Sequence, residues 1–273
     1  MPLPSALAAL DEQMNRRENV HGKILGLQQP SSLKPAATRV QLLLACAVLA
    51  AFPSQAQPAR IVWAWERPET LNMLPADVGI AAVTGFIRLR GDAIVVRRGR
   101  RFPLVVAPGR PPPIAVVHIE LDQSRPLEWS PALADQVVGA ALAFTRGAAQ
   151  VQVDMEVRTS QRGALLDVLR GVRTGLASGA TLSMTALASW CENEAWLYSA
   201  PVDEIVPMLF RMGPGGYRLR TKLATGGDFT DRRCRDAVGI ATDTPVVVPT
   251  GRRVYIFNPR PWDAAAIAAL PPG

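Results

Sequence analysis

The stretch VQVDMEV, Val151 to Val157, alternates with a period of two. Val151, Val153, Met155 and Val157 fall on one face, and Gln152, Asp154 and Glu156 on the other. A second stretch, VHIELDQ, repeats the arrangement: Val117, Ile119 and Leu121 oppose His118, Glu120 and Asp122. An apolar face backed by carboxylates and an amide suits a strand covered on one side and open to a polar pocket on the other. Paired strands lie about 4.8 Å apart, so two such strands side by side crowd Glu120, Asp122, Asp154 and Glu156 on one wall. Like charges at that spacing raise at least one carboxyl pKa. A protonated carboxylic acid beside an ionised one is the equipment for glycoside hydrolysis, in which one group protonates the leaving oxygen and the other acts as nucleophile or helper. The bland reading uses the same residues: inward carboxylates can pair with arginines, and Arg67, Arg88 and Arg211 stand near strand ends.

The elements that must position these groups are legible as apolar runs. The main ones cover residues 61–65, 78–87, 114–122, 151–157, 181–188, 203–209, 238–242 and 254–258. Helix signals separate several of them. Ser130 suits an N-cap and Pro131 a first helical position, with helical spacing to Arg146. Ser160 can cap a second helix to about Leu176, with Leu165, Leu166, Leu169 and Val172 on one face and Gly179 as its stop. Shorter helices are expected over 230–237 and 262–270. DAIVV and FPLVVA read as an inserted hairpin whose tip is the arginine run 97–101. Strands alternating with helices imply an α/β fold with a parallel sheet, and eight units suggest a closed (β/α)8, TIM-like barrel, small and with some helices missing. An open, doubly wound sheet is the alternative. In a barrel, Gln152, Asp154 and Glu156 point inward and rise toward the mouth formed by the strands' C-terminal ends. Other strand ends contribute Glu66, Trp190 and Asn258 as candidate substrate-binding groups beside Gln152, Glu120 and Asp122, and Trp side chains can stack on sugar rings.

The net charge of +7 invites a nucleic-acid reading, but Lys222 is the only lysine after residue 56 and the arginines are scattered. Such a skew, with abundant Ala, Gly and Pro, reads as coding bias rather than a binding surface, and no nucleic-acid partner is expected. The densest cluster, Arg97, Arg98, Arg100 and Arg101, fits a phosphate patch or a solvated loop. No GxGxxG follows a strand and no P-loop occurs, so no nucleotide cofactor is expected. There is no CxxC and no Cys/His cluster, so no metal site is expected either.

Residues 1–56 read as a leader and signal peptide ahead of a single domain over 57–273. Arg39 precedes the apolar run Val40 to Phe52, and Ser54-Gln55-Ala56 offers small residues for cleavage. The run is shorter than the about 20 residues a membrane span needs, so export to the periplasm or medium is expected without a span. Leu43-Leu44-Ala45-Cys46 also fits a lipoprotein signal with a lipid anchor at Cys46. Either route leaves Cys191 and Cys234 in an oxidising compartment, as a disulfide or as two buried thiols. His118 is then the only histidine, so a Ser-His-Asp triad would have to use it as base.

WAWERPETL, VVHIELDQ, VQVDMEV, LSMTALASW and VDEIVPMLFRM, in that order, resemble a bacterial family of exported proteins described only as a domain of unknown function and regarded as a barrel related to glycoside hydrolases. The resemblance spans Ile61 to Trp262. The family's fourth strand reads Gln-x-Asp-x-Asp; Gln152 and Asp154 match, and Glu156 replaces the final Asp. The same strand is similar to the family-18 chitinase signature Asp-x-x-Asp-x-Asp-x-Glu at Asp154 and Glu156, while Ala149 and Gln152 replace its first two Asp residues. The resemblance implies a carbohydrate partner, Glu156 as general acid, and Asp154 as the group that orients a substrate acetamido group. A non-catalytic sugar-binding barrel and an envelope scaffold are the alternatives.

Overall fold

The computed structural model describes residues 58–271 except 194 and 214. The signal-peptide, cleavage and Cys46 expectations lie outside the described residues. Among the described residues there are eleven strands: β1 (Arg60–Ala64), β2 (Glu69–Leu71), β3 (Val78–Arg90), β4 (Ala93–Gly99), β5 (Leu104–Val106), β6 (Ile114–Leu121), β7 (Gln150–Met155), β8 (Thr181–Leu187), β9 (Glu204–Met208), β10 (Ala237–Ala241) and β11 (Arg253–Phe257). The α-helices are α1 (Pro131–Phe144), α2 (Arg162–Gly175), α3 (Trp190–Asn193), α4 (Gly216–Ala224) and α5 (Ala264–Ala268).

Eight strands pair in the order β1-β11-β10-β9-β8-β7-β6-β3, and β1 pairs with β3 to close the ring. Every pairing within it is parallel. The fold is thus a closed parallel barrel of eight strands with sparse helices, not the open sheet. All eight expected strands are present, each shifted by at most a few residues.

Two apolar layers follow from the period-two alternation. The inward set includes Ile61, Trp63, Ala81, Val83, Val116, Val206, Tyr255 and Phe257. The outward faces of β6, β7 and β8 (Val117, Ile119, Val151, Val153, Met155, Leu182 and Met184) pack under α1 and α2. From α2 this layer takes Leu165, Val168, Leu169 and Val172, and burying each stabilises by about 1.5–3 kcal/mol. Ser130 Oγ accepts from Leu133 N at 3.2 Å and caps α1. The two helices approach closely at Gly171, where an added Cβ would lie 2.5 Å from Val138 Cγ2.

No long helix covers β1 and the adjoining part of β3. Leu71 and Leu74, from the segment that holds β2, cover Val62, Ile80 and Ala82 there together with Trp262 and Ile267. Trp262 is pinned by its indole N–H donating to Trp63 O at 2.8 Å and its backbone N–H donating to Glu69 at 2.8 Å. These contacts do the work of the missing helices.

Three expectations need correction. DAIVV and FPLVVA do not form a hairpin with each other. The 13-residue β3 outruns the barrel and its end pairs antiparallel with β4, while β5 pairs in parallel with β2. The tip is at Gly91, whose φ of 62° lies in the left-handed region open to glycine. The arginine run is not a solvated tip either. Arg98 pairs with Glu66, and Arg100 donates to the carbonyls of Arg67 (2.9 Å), Val83 (3.2 Å) and Phe102 (2.9 Å). It ties β1 and β3 together. Finally, the segment 230–237 holds only a 3-10 turn at Arg232–Cys234, and the helix of this stretch is α4, ahead of it.

Cys191 and Cys234 are joined as a disulfide, Cα atoms 6.0 Å apart. Among the described residues no helix is long and apolar enough to cross a membrane.

Candidate functional site

The in-register pairing of β6 with β7 sets His118 beside Asp154. Both are inward residues near the C-terminal ends of their strands. His118 Nδ1 and Asp154 Oδ2 are 2.6 Å apart, and Thr185 on β8 donates its hydroxyl to Asp154 Oδ1 at 2.6 Å. Both carboxylate oxygens are therefore engaged. Asp154 is buried, and His118 is 27 % exposed at its side chain. Burial disfavours the charged form of each, yet the opposite charge and the shared hydrogen bond outweigh it. His118 is held above its usual range, with a smaller push from the Glu120 carboxylate, and Asp154 below its own, with help from Thr185. The rise expected for a carboxyl in a like-charge cluster does not occur at Asp154, because a cation rather than a carboxylate is its neighbour.

Above this pair opens a cleft of about 950 Å³ at the C-terminal mouth. Trp65, Leu187, Met208, Phe210 and Phe257 give it apolar walls, and Glu120, Glu156, Arg158, Arg162 and Arg211 give it charge. Trp65 meets His118 edge-on at 5.9 Å, and Phe86 lies 5.6 Å from it on the other strand. Such rings orient the imidazole without competing for its hydrogen bonds.

The expected site residues separate into groups. Asp154 and Glu156 share the cleft. Glu156 is exposed, two residues beyond Asp154, and its carboxylate makes no hydrogen bond or ion pair among the described residues. Glu120 also lines the cleft but is paired with Arg88 at 2.9 Å. Trp190 lines it from within the core, edge-on to Trp196 at 5.1 Å. Gln152 faces inward but is wholly buried beneath the cleft, and neither its amide oxygen nor its nitrogen has a partner among the described residues. Asp122 lies outside the cleft, accepting from Ser124 N at 2.9 Å. The hydrogen bonds with Ser124 and nearby arginines hold it below the usual carboxylate range. Glu66 is turned away to Arg98 and the Arg101 N–H; although burial raises its pKa, these contacts leave it lowered. Asn258 accepts from Thr242 Oγ1 at 2.7 Å in an adjoining depression. The four-carboxylate wall is therefore two carboxylates, one of them bonded to histidine, with Glu120 at the rim on an arginine.

Compared with protein-family models and with curated proteins, the chain matches none.

Sequence reasoning passed over three groups in or beside the cleft. His118 was visible on the same face as Glu120, and only the register of β6 against β7 gives it Asp154 as partner. Thr185 carried no signal, since a threonine in a strand is commonplace. Arg211 is the one non-glycine residue with positive φ among the described residues, at 52°. Holding a side chain there costs about 1–3 kcal/mol and is found where surroundings or function demand it.

Proposed function

We propose that this is an exported protein with a shortened (β/α)8 barrel, and that it binds a polysaccharide across the mouth and cleaves a glycosidic bond there. Glu156 is the proton donor. The supporting observation is a carboxylate with no partner among the described residues, standing in an aromatic-walled cleft above the Asp154–His118 pair. In the reaction Glu156 gives its proton to the leaving oxygen as the bond from that oxygen to the anomeric carbon breaks. Water then supplies the hydroxyl to the carbon, and its proton returns to the protein. Asp154 is a positioning residue in this scheme. Bonded through one oxygen to His118 and through the other to Thr185, it fixes the His118 ring.

One observation favours a second reading, a barrel that binds sugar without cleaving it. Glycoside hydrolysis commonly uses two available carboxylates, and here Glu120 is held by Arg88 while Asp154 is held by His118 and Thr185. The discriminating experiment is reducing-end release from a panel of bacterial and plant polysaccharides by the wild type and by Glu156→Gln. Release by the wild type alone supports the hydrolase. Saturable binding with no release by either protein supports the second reading, and neither binding nor release refutes both.

A further inference from the structure

The mouth of the barrel is rich in arginine, and most of these arginines are occupied. Arg88 holds Glu120, Arg98 holds Glu66, and Arg67 holds Glu69 at 2.7 Å together with the carbonyls of Asn258 and Pro259. Two are different. Arg158 and Arg211 both line the cleft, both are exposed, and neither guanidinium makes a hydrogen bond or ion pair among the described residues. Each lies three residues beyond the end of its strand, Arg158 after β7 and Arg211 after β9. Only β8 separates those strands, so their ends are about 10 Å apart and the two side chains flank one stretch of cleft. The backbone at Arg211 adds an independent observation. Its φ of 52° is a conformation glycine adopts without cost, and an arginine stands there instead.

We propose that Arg158 and Arg211 form a subsite for an anionic group on the bound glycan, a carboxylate or a phosphate, so that the substrate class is an acidic polysaccharide. The inference rests on the sugar-binding reading above. The chemistry fits the residue type. A guanidinium presents a planar fork of donors that matches a carboxylate or phosphate with two parallel hydrogen bonds. The aromatic rings on the opposite wall, Trp65 and Phe257, supply faces for the uncharged ring surfaces.

The test is calorimetric titration of the full chain with glucuronic, galacturonic and mannuronic trisaccharides, with the methyl ester of each, and with inorganic phosphate. The expected result is that at least one acid binds about tenfold or more tightly than its ester, as a bidentate charged contact gives. That preference should weaken with added salt and vanish in Arg158→Gln/Arg211→Gln, with ester binding unchanged. Arg211→Gly, which relaxes the backbone while removing the charge, replaces Arg211→Gln if that variant does not fold. Phosphate binding that is lost in the double variant, with no uronate or ester bound, supports the anion subsite and overturns the glycan reading. Equal binding of acid and ester overturns the anionic subsite and leaves the glycan reading standing. A folded wild type that binds neither uronates nor phosphate, or a double variant that binds acids as the wild type does, overturns the inference.

Discussion

Asp154→Asn is the substitution that interrogates the site most directly. Asparagine keeps an oxygen for the Thr185 hydroxyl, and its amide can still meet a neutral His118 ring, so the geometry survives while the charge does not. A hydrogen bond to a charged group contributes about 1.5–3 kcal/mol and a neutral one about 0.5–1.5. The exchange therefore costs about 1–2 kcal/mol where His118 is protonated, or about 2–8 °C in melting temperature for a chain of this size. The sign with pH follows from linkage. His118 is raised in the folded state, so its share is complete below the unfolded value of about 6.5 and is lost as pH rises through the folded value. Asp154 is lowered, so its share is present above the unfolded carboxylate value and is lost as pH falls through the folded one. The destabilisation should thus be largest near pH 5.5 and smaller at pH 8.5, as read by urea unfolding at both. Imidazole NMR checks the cause. The chain has two histidines, and His118→Gln identifies which signal belongs to the site. That signal should titrate above the free-histidine value in the wild type and lower in Asp154→Asn, where burial is opposed only by the smaller push of the Glu120 carboxylate. Equal destabilisation at both pH values, or a wild-type His118 titrating at or below the free value, would refute the pairing.

Glu156→Gln should leave stability within about 0.5 kcal/mol of the wild type, because an exposed side chain without partners among the described residues has little to lose; a larger drop in urea unfolding would mean that Glu156 is structural. Gln152→Leu should raise stability by about 1–2 kcal/mol, since it replaces a buried amide that has no partner among the described residues with an apolar group of similar size; a fall in melting temperature would overturn that accounting. Cys191→Ser/Cys234→Ser should cost about 3–4.5 kcal/mol, the loop-closure value for a bridge 43 residues apart, and peptide mapping without reductant should recover the two cysteines in one linked fragment.

The barrel strands were legible as short apolar runs bounded by polar and turn residues, and β6, β7 and β8 also alternate in type. VQVDMEV needed no partner to be assigned: Val151, Val153 and Met155 meet α1 and α2, while Gln152 and Asp154 do not. An apolar run does not by itself name the strand it pairs with. FPLVVA is apolar throughout and half exposed, and nothing in it indicates that β5 pairs in parallel with a three-residue β2. The site was legible by half. Asp154 and Glu156 could be placed on one wall by periodicity, but a partner across strands is a matter of register, and register is set by the closed ring. One residue of slip between β6 and β7 would replace His118 by an outward valine or isoleucine. The pairings of Glu120 with Arg88 and Glu66 with Arg98 are likewise products of the β3–β4 extension, which brings arginines up to the rim from a strand the sequence placed elsewhere.

The distribution of polarity inside the barrel explains how such a site is tolerated. Most of the interior is apolar, from Ile61 and Trp63 through Val83 and Val116 to Phe257. The polar side chains gather on two neighbouring strands, Gln152 and Asp154 on β7 with Ser183 and Thr185 on β8. Those two strands also have the best covered outward faces, with Val151, Val153, Met155, Leu182 and Met184 fully buried against the long helices. Desolvating an ionised carboxylate costs several kcal/mol even after relaxation. At Asp154 that cost is offset locally by His118 and Thr185, and the strand itself is held by packing on its opposite face. A polar wall needs rigid backing if its hydrogen bonds are to keep their geometry, and α1 and α2 stand behind β6, β7 and β8. The helical cover of this barrel is uneven, with only the short α5 behind β1 and the two long helices behind the wall that carries Asp154 and Glu156, where the site needs its backing.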